Sequence, residues 1–383
     1  MTKAEVMLKA INGQIRWVDA AVILGVTDRH IRRLRERYEE YGFDGIRDQR
    51  GKRTRRSKIA VEVVREVCRL KREEYADLNV QHFHEKLTEE HGVLLSYSWT
   101  NLLLQKAGLV EKQAGRGKYF RKRERRPMRG MLMHLDASMH EWVAGQAKHD
   151  LVVAMDDATG EVLHMEFVPE EGTKSTFSAL RGVLTREGRF AELYTDRGSH
   201  FCRTEQAGQG PNEVQNGQVT RALRALGIRH ILARTPQARG RSERMFGTLQ
   251  GRLPQELRLA GITHYGPAAD RVLEHMRRDV NRRFAVTPAQ PESAFVPLVG
   301  IQLELLLSVQ HERTVHADNT VQFRRLQLQL PEGKTRVSYA RCVVTVNEFL
   351  DDTLGVVFQG QLLARFAATG EPSAQPIKRK KTA

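Results

Sequence analysis

Cysteine is scarce in this chain: Cys68, Cys202 and Cys342 are its three, in 383 residues. An odd number of widely spaced thiols excludes a disulfide framework and a CxxC zinc knuckle, so they read as ordinary thiols. Long apolar runs are also missing. Nothing reaches the eighteen or so residues of a membrane helix, and the opening MTKAEVMLKAINGQIRW lacks the apolar centre of a secretory signal. No membrane partner is expected, and the chain reads as soluble and intracellular. Acidic residues are in deficit, with Asp+Glu 46 against Lys+Arg 62, a net charge of +16. That surplus favours a polyanionic partner, nucleic acid first, through release of condensed counterions. What is present suffices for folded cores, with 40% hydrophobic residues. At roughly 100–200 residues per domain the length implies about two to four domains.

The chain divides by pattern. Residues 1–57 contain VDAAVILGVTDRHIRRLRERY, where small Ala21, a turn at Gly25, Thr27 as N-cap, and Ile31 and Leu34 three apart match a helix-turn-helix. Its second helix, from about Asp28 to Tyr38, offers Arg29, His30, Arg32 and Arg33 to DNA. DQRGKRTRRSK then carries Arg53, Arg55 and Arg56 without an apolar side chain, as a linker tracking phosphates does. A second helical domain, 58–114, is read from an amphipathic helix over 59–72, an Asn79-capped helix and a Ser96-capped helix ended by Gly108, again of helix-turn-helix type. The basic linker 115–130 follows, with Lys118, Arg121, Lys122 and Arg123 around Tyr119 and Phe120, placed to lie along a phosphate backbone.

From Met131 the periodicity changes. MLMHLDA, DLVVAM and EVLHMEFV read as three strands, followed by a helix after Thr173, strand ELYTD, a helix in VTRALRALG, strand IRHIL, and helices from about Gly240 and Ala268. This order, over 131–297, predicts a mixed sheet flanked by helices. Residues 298–368 alternate in short segments broken by Asn, Asp and Gly, as in a small antiparallel β-barrel, and 369–383 read as a disordered basic tail.

Three carboxylates stand out: Asp136 in HLDAS, at the end of the first expected strand, Asp196 in LYTDRGSHF, at the end of the fourth, and Glu243 in GRSERMFGTLQ, near a helix start. Strand ends along one sheet edge converge, which is where α/β folds build sites. Three gathered carboxylates suit hard divalent cations, and a pair of such ions stabilises attacking and leaving oxygens at phosphorus. Glu243 admits two readings. It lies beside the apolar face Met245, Phe246, Leu249 and Leu253, with Gly240 and Gly247 leaving room for phosphate, or it is a surface glutamate next to a capping Ser242, in a helix that Pro254 kinks or ends. Asp156 and Asp157 more simply form an Asx-type turn, and Glu205 and Glu213 fall in a loop. His134, His200 and His230 are a poor match for Mg²⁺ and suit packed, hydrogen-bonded roles.

HLDAS, VAMDDATGEVLHMEFVP, LYTDRGSHF and PQARGRSERMFGTLQGRL resemble the catalytic core of DDE transposases and retroviral integrases, most closely the ISNCY-type transposases of bacterial insertion sequences. The resemblance covers nearly the whole chain. It implies a multidomain protein with N-terminal all-α helix-turn-helix units, a central α/β ribonuclease-H-like domain and a C-terminal small β-barrel. It implies that Asp136, Asp196 and Glu243 are catalytic ligands of two Mg²⁺ ions, with Mn²⁺ able to substitute. The expected function is binding of terminal inverted repeats, 3′-end cleavage and strand transfer into target DNA, by a homo-oligomer of at least two copies in the bacterial cytoplasm at the nucleoid. Arg197 and His200, with Arg241 and Arg244 flanking Glu243, are expected at the DNA. The chain departs from compact integrases in a longer interval before Glu243, containing GQGPNEVQNG, and in lacking their His/Cys zinc module. A nuclease that cuts without joining and a domesticated DNA-binding regulator are the alternatives.

Overall fold

The structure, a computed structural model, describes residues 2–46, 59–112, 124–201, 217–233, 240–333 and 336–372. The expected DNA contacts at Arg53, Arg55, Arg56, Lys118, Arg121, Lys122 and Arg123 lie outside the described residues, as do Cys202, Glu205, Glu213, the GQGPNEVQNG stretch up to its final Gly217 and most of the expected tail. Two compact units divide the chain, Met1–Leu70 and Lys71–Ala383. Among the described residues no helix is long and apolar enough to cross a membrane.

The first unit is helical: α1 (Lys3–Ile11), α2 (Trp17–Leu24), α3 (Asp28–Tyr41), α4 (Phe43–Ile46) and most of α5 (Val61–Glu73). A capping box starts α1, with Glu5 N–H donating to Thr2 Oγ1 and Thr2 N–H to Glu5 Oε2. The left-handed Gly25 ends α2 and turns the chain into α3. Thr27 occupies the N-cap position of α3, as the sequence predicts, though its side chain makes no capping bond. Val6, Met7, Ala10, Ala20, Ala21, Ile31 and Leu34 form the core. With Ile31 and Leu34 inward, the 3.6-residue period turns Arg29, His30, Arg32 and Arg33 to solvent, all exposed.

The second unit opens with α6 (Val80–Glu89) and α7 (Tyr97–Lys106), capped by Asn79 accepting from His82 N–H and Ser96 accepting from Trp99 N–H, as the sequence predicts. The buried Lys71 ammonium donates to the carbonyls of Tyr75, Ala76 and Leu78 at 2.8, 3.0 and 2.6 Å, closing the turn before α6.

Next come β1 (Leu132–His140), β2 (His149–Asp156), β3 (Val162–Val168), α8 (Thr173–Glu187), β4 (Glu192–Thr195), α9 (Gln218–Leu226), β5 (Arg229–Leu232), α10 (Gly240–Gln250), α11 (Leu253–Leu259) and α12 (Pro267–Phe284). The five strands lie in the order β3-β2-β1-β4-β5, with β1–β3 antiparallel and β4 and β5 joining β1 in parallel. This is the ribonuclease-H-like arrangement expected. Strand alternation fills both faces. Met133, Leu135, Val152 and Ala154 meet α8 and α9, while Val153 and Met155 meet α10–α12 through Met245, Phe246, Leu249, Leu273 and Met276. Two details differ from the sequence reading. Strand β1 runs four residues beyond Asp136 because it stays paired to β2 as far as His140 with His149. Helix α10 stops at Gln250, and Pro254 opens α11 in its first turn, where a missing N–H costs nothing.

The C-terminal part holds α13 (Leu303–Leu306), β6 (Val309–Thr314), β7 (Thr320–Phe323), β8 (Leu326–Gln329), β9 (Val343–Glu348), β10 (Leu354–Phe358) and β11 (Gln361–Phe366). The antiparallel sheet β11-β10-β9-β6 and the ribbon β7-β8 share one core around Val321, Phe323, Leu328, Val346 and Val356, the small β-domain expected.

Candidate active site

Period-two alternation along β1 sends Met133 and Leu135 to one face of the sheet and leaves His134 and Asp136 on the face that carries α10. Asp136 is 8% exposed, in a recess lined by His134, Val153, Met155, Ser242, Met245 and Phe246. One oxygen, Oδ1, accepts from Ala137 N–H at 2.9 Å. Parallel pairing of β1 with β4 runs Leu132 with Glu192 to His134 with Tyr194. Asp136 lies two residues beyond the last of these pairs on β1, and Asp196 directly follows the end of β4.

Asp196 is held in turn. Its Oδ1 accepts from Gly198 N–H at 2.8 Å. A side chain at Gly198 would begin 3.2 Å from that oxygen and 3.0 Å from the His200 ring, so glycine is what lets the turn fold this closely over the carboxylate. Beneath it, the Thr195 hydroxyl donates to the Asp196 carbonyl at 3.0 Å and stands 2.8 Å from His230 Nε2. Burial pushes the His230 imidazole down to about 4, so it stays neutral there.

Glu243 lies in the first turn of α10. Ser242, Met245, Phe246 and Leu249 face the sheet, and Glu243 and Arg244 are exposed. Ser242, its chain neighbour, lines the Asp136 recess. Of the three expected ligands, one lies on β1 and one just past the end of the neighbouring β4, while the third is one residue from the recess and turned outward. Among the described residues no three His, Cys, Asp or Glu side chains stand close enough to hold a metal ion. The donor chemistry of the three, all carboxylate oxygen, fits a hard divalent cation.

The rival acids separate. Asp156 forms the Asx turn, its Oδ2 accepting from Thr159 N–H at 2.8 Å and Oγ1 at 2.9 Å. Asp157 lies in the same turn, but its side chain is directed inward. It is fully buried and accepts from His134 Nε2 at 2.7 Å, from Arg126 N–H at 2.8 Å and from the Arg241 guanidinium. Sequence reasoning missed this role. The available signal was a second aspartate where the turn needs only one. His134 and His230 are hydrogen-bonded, as expected from the sequence. Arg241 is held against Asp157, while Arg197 is exposed. His200 lies against Phe201, ring centroids 3.9 Å apart, with Nε2 3.6 Å from Glu171 Oε1.

Residues 2–54 match a helix-turn-helix domain family. The chain is 32% identical over 366 residues to "Putative transposase y4bF" of Sinorhizobium fredii, covering 95% of this chain and 79% of that protein. It is 29% identical over 294 residues to "Transposase for insertion sequence IS1202" of Streptococcus pneumoniae, covering 67% and 62% respectively. Among solved structures it is similar to the HTLV-2 integrase catalytic core domain in complex with magnesium, at 19% identity and TM-score 0.29, over 38% of this chain and 85% of that one. It is also similar to the simian T-cell lymphotropic virus intasome in complex with PP2A regulatory subunit B56 gamma, at 14% identity and TM-score 0.35, over 80% and 99%. With its N-terminal helix-turn-helix and its likeness over 95% of its length to the Sinorhizobium protein, this chain belongs to that protein's family of transposases.

Proposed function

We propose that this transposase binds the inverted repeats at the ends of its element, cleaves their 3′ ends and transfers the strands into target DNA, with Asp136, Asp196 and Glu243 as the ligands of two divalent cations, Mg²⁺ or Mn²⁺. The observation that carries the reading is the placement of Asp136 on β1 and of Asp196 just past the end of its parallel neighbour β4, with Glu243 on the helix that lies over the same face. Bound there, the ions would stabilise charge on the attacking and leaving oxygens of a phosphodiester. The chain's own residues orient and exclude. Ala137 N–H and Gly198 N–H fix the two aspartates, Val153, Met155, Met245 and Phe246 keep water from the back of Asp136, and exposed Arg197 and Arg244 offer charge to DNA phosphates. In this reading the Glu243 side chain turns inward from the first turn of α10 to complete the set. Exposed cations of α3 hold the end DNA, and because two ends are joined together the working species is at least a dimer on DNA.

The test uses DNA from the flanks of the gene carrying its imperfect inverted repeats. Wild-type protein with Mg²⁺ is expected to release 3′ ends and join them to a second plasmid, and Asp136→Asn to do neither. Cleavage without joined product would make the protein a nuclease only. One observation favours a second reading, a DNA-binding regulator with an inert core: Glu243 is exposed, and no three-ligand cluster occurs among the described residues. Specific binding of end DNA by the wild type, with no cleavage in Mg²⁺ or Mn²⁺, would establish that reading.

A further inference from the structure

Asp157 presents a cost without an evident local need. A carboxylate withdrawn completely from water loses several kcal/mol of hydration unless it is paired and hydrogen-bonded. The hairpin turn at this point is already made by Asp156. Asp157 instead accepts from three donors on three separate segments, His134 on β1, Arg126 on the segment entering the domain, and Arg241 on α10. Since a carboxylate only accepts, His134 carries its proton on Nε2. The positions of two of these donors matter. His134 lies two residues before Asp136 on the same face of β1, and Arg241 lies two residues before Glu243 in the first turn of α10. One buried carboxylate therefore grips both elements that carry the outer members of the acidic triad.

We propose that Asp157 is a positioning residue of the active site, setting the distance between Asp136 and Glu243 by holding the start of α10 against β1 through Arg241 and His134. It touches neither metal nor DNA. The proposal rests on the reading of the triad as metal ligands, and it assigns the fixed end of the helix about which Glu243 moves inward. Loss of the tether releases that end and weakens the ligand set without removing a ligand.

The experiment compares Asp157→Asn, Arg241→Met and Arg241→Lys with wild type and with Asp136→Asn. Three readouts are taken on each full-length protein: Mg²⁺ binding by calorimetry in the absence of DNA, the Mg²⁺ concentration that half-saturates cleavage, and affinity for end DNA. Asp157→Asn and Arg241→Met are expected to weaken Mg²⁺ binding and raise the half-saturating concentration by roughly ten- to a hundredfold, as loss of groups supporting ligands does. Cleavage at saturating Mg²⁺ recovers in large part, the DNA affinity of Asp157→Asn is unchanged, and Arg241→Lys, which keeps the charge, falls between. The double variant is no worse than either single one, because both remove the same ion pair. A wild-type Mg²⁺ requirement in folded Asp157→Asn would overturn the proposal, leaving the triad intact. If Asp157→Asn does not fold, the two Arg241 variants decide on the same readouts. If Asp136→Asn itself binds Mg²⁺ and cleaves like wild type, the reading of the triad fails instead.

Discussion

Arg252 grips Glu85 with both arms of its guanidinium, Nη1 to Oε2 at 2.6 Å and Nη2 to Oε1 at 3.0 Å, with side chains only 5% and 12% exposed. The pair joins α6 to the junction of α10 and α11. Beside it, Glu256 on α11 takes His82 Nε2 at 2.6 Å and Lys86 Nζ at 2.9 Å. Burial alone would raise the Glu256 carboxyl, and the hydrogen bonds from His82 and Lys86 outweigh it, holding the group below its usual range. Helix α6 is thereby tied to the helical layer over the central sheet.

Removing one partner of such a pair leaves the other charged and buried. Arg252→Met is expected to destabilise the second unit by about 3–5 kcal/mol. Thermal unfolding with hydrogen exchange checks this, and the faster exchange should appear first in α6 and α7. An unchanged midpoint would mean that Arg283, which reaches the same Glu85 oxygen at 3.4 Å, is sufficient.

Asp136→Asn and Asp196→Asn keep shape and lose charge. Each is expected to lower Mg²⁺-dependent cleavage of end DNA by roughly a thousandfold or more, the equivalent of several kcal/mol of lost charge stabilisation. Circular dichroism and end-DNA affinity should stay at wild-type values, and residual cleavage near wild type in either variant would remove that residue from the site.

Gly198→Ala places a methyl carbon 3.2 Å from Asp196 Oδ1 and 3.0 Å from His200. The expected result is a fall in cleavage with little change in melting temperature, since the turn is at the surface of the sheet edge. Single-turnover kinetics on end DNA measures it, and full activity would show that the turn has room to adjust.

Arg29→Ala with Arg33→Ala removes two exposed charges from α3. Binding to end DNA should weaken, and the slope of log affinity against log salt should flatten by about 0.9 for each phosphate no longer neutralised. A titration from low to moderate salt reads both, and an unchanged slope would take these arginines off the DNA.

The neutral His230 makes stability depend on pH. Below 6.5 the unfolded chain takes up a proton here that the folded chain refuses until about pH 4, because burial disfavours the charged ring. Its contribution is complete above 6.5 and is lost as pH falls towards 4, on the order of 3 kcal/mol across that window. His230→Gln should flatten the fall in unfolding free energy between those limits. A curve parallel to wild type would assign the acid sensitivity elsewhere.

Much of the fold was legible from residue order because its signals are local. Asn79 and Ser96 cap the helices they announce, Gly25 turns the chain, and alternation along β1 and β2 marks two buried faces. Boundaries were less visible. Strand β1 outruns the apolar stretch that reveals it, because its polar second half is held by β2. Helix α10 ends before Pro254 through a break that the apolar spacing of Leu249 and Leu253 conceals. Within the site, the end of β4 just before Asp196 was readable from the sequence, Asp136 proved to lie inside β1 and not at its end, and the outward aspect of Glu243 depends on the helix's rotation against the sheet. The role of Asp157 depends on partners 23 and 84 residues distant, which no local pattern encodes.

The parallel pairing of β1 with β4 carries a consequence for how each molecule matures. Those strands can meet only after β2, β3 and α8 have been made and folded back between them, so the sheet waits on long-range closure. The N-terminal helices close through neighbours in sequence and need no such wait. On the ribosome, the helix-turn-helix domain is complete well before the central sheet can close.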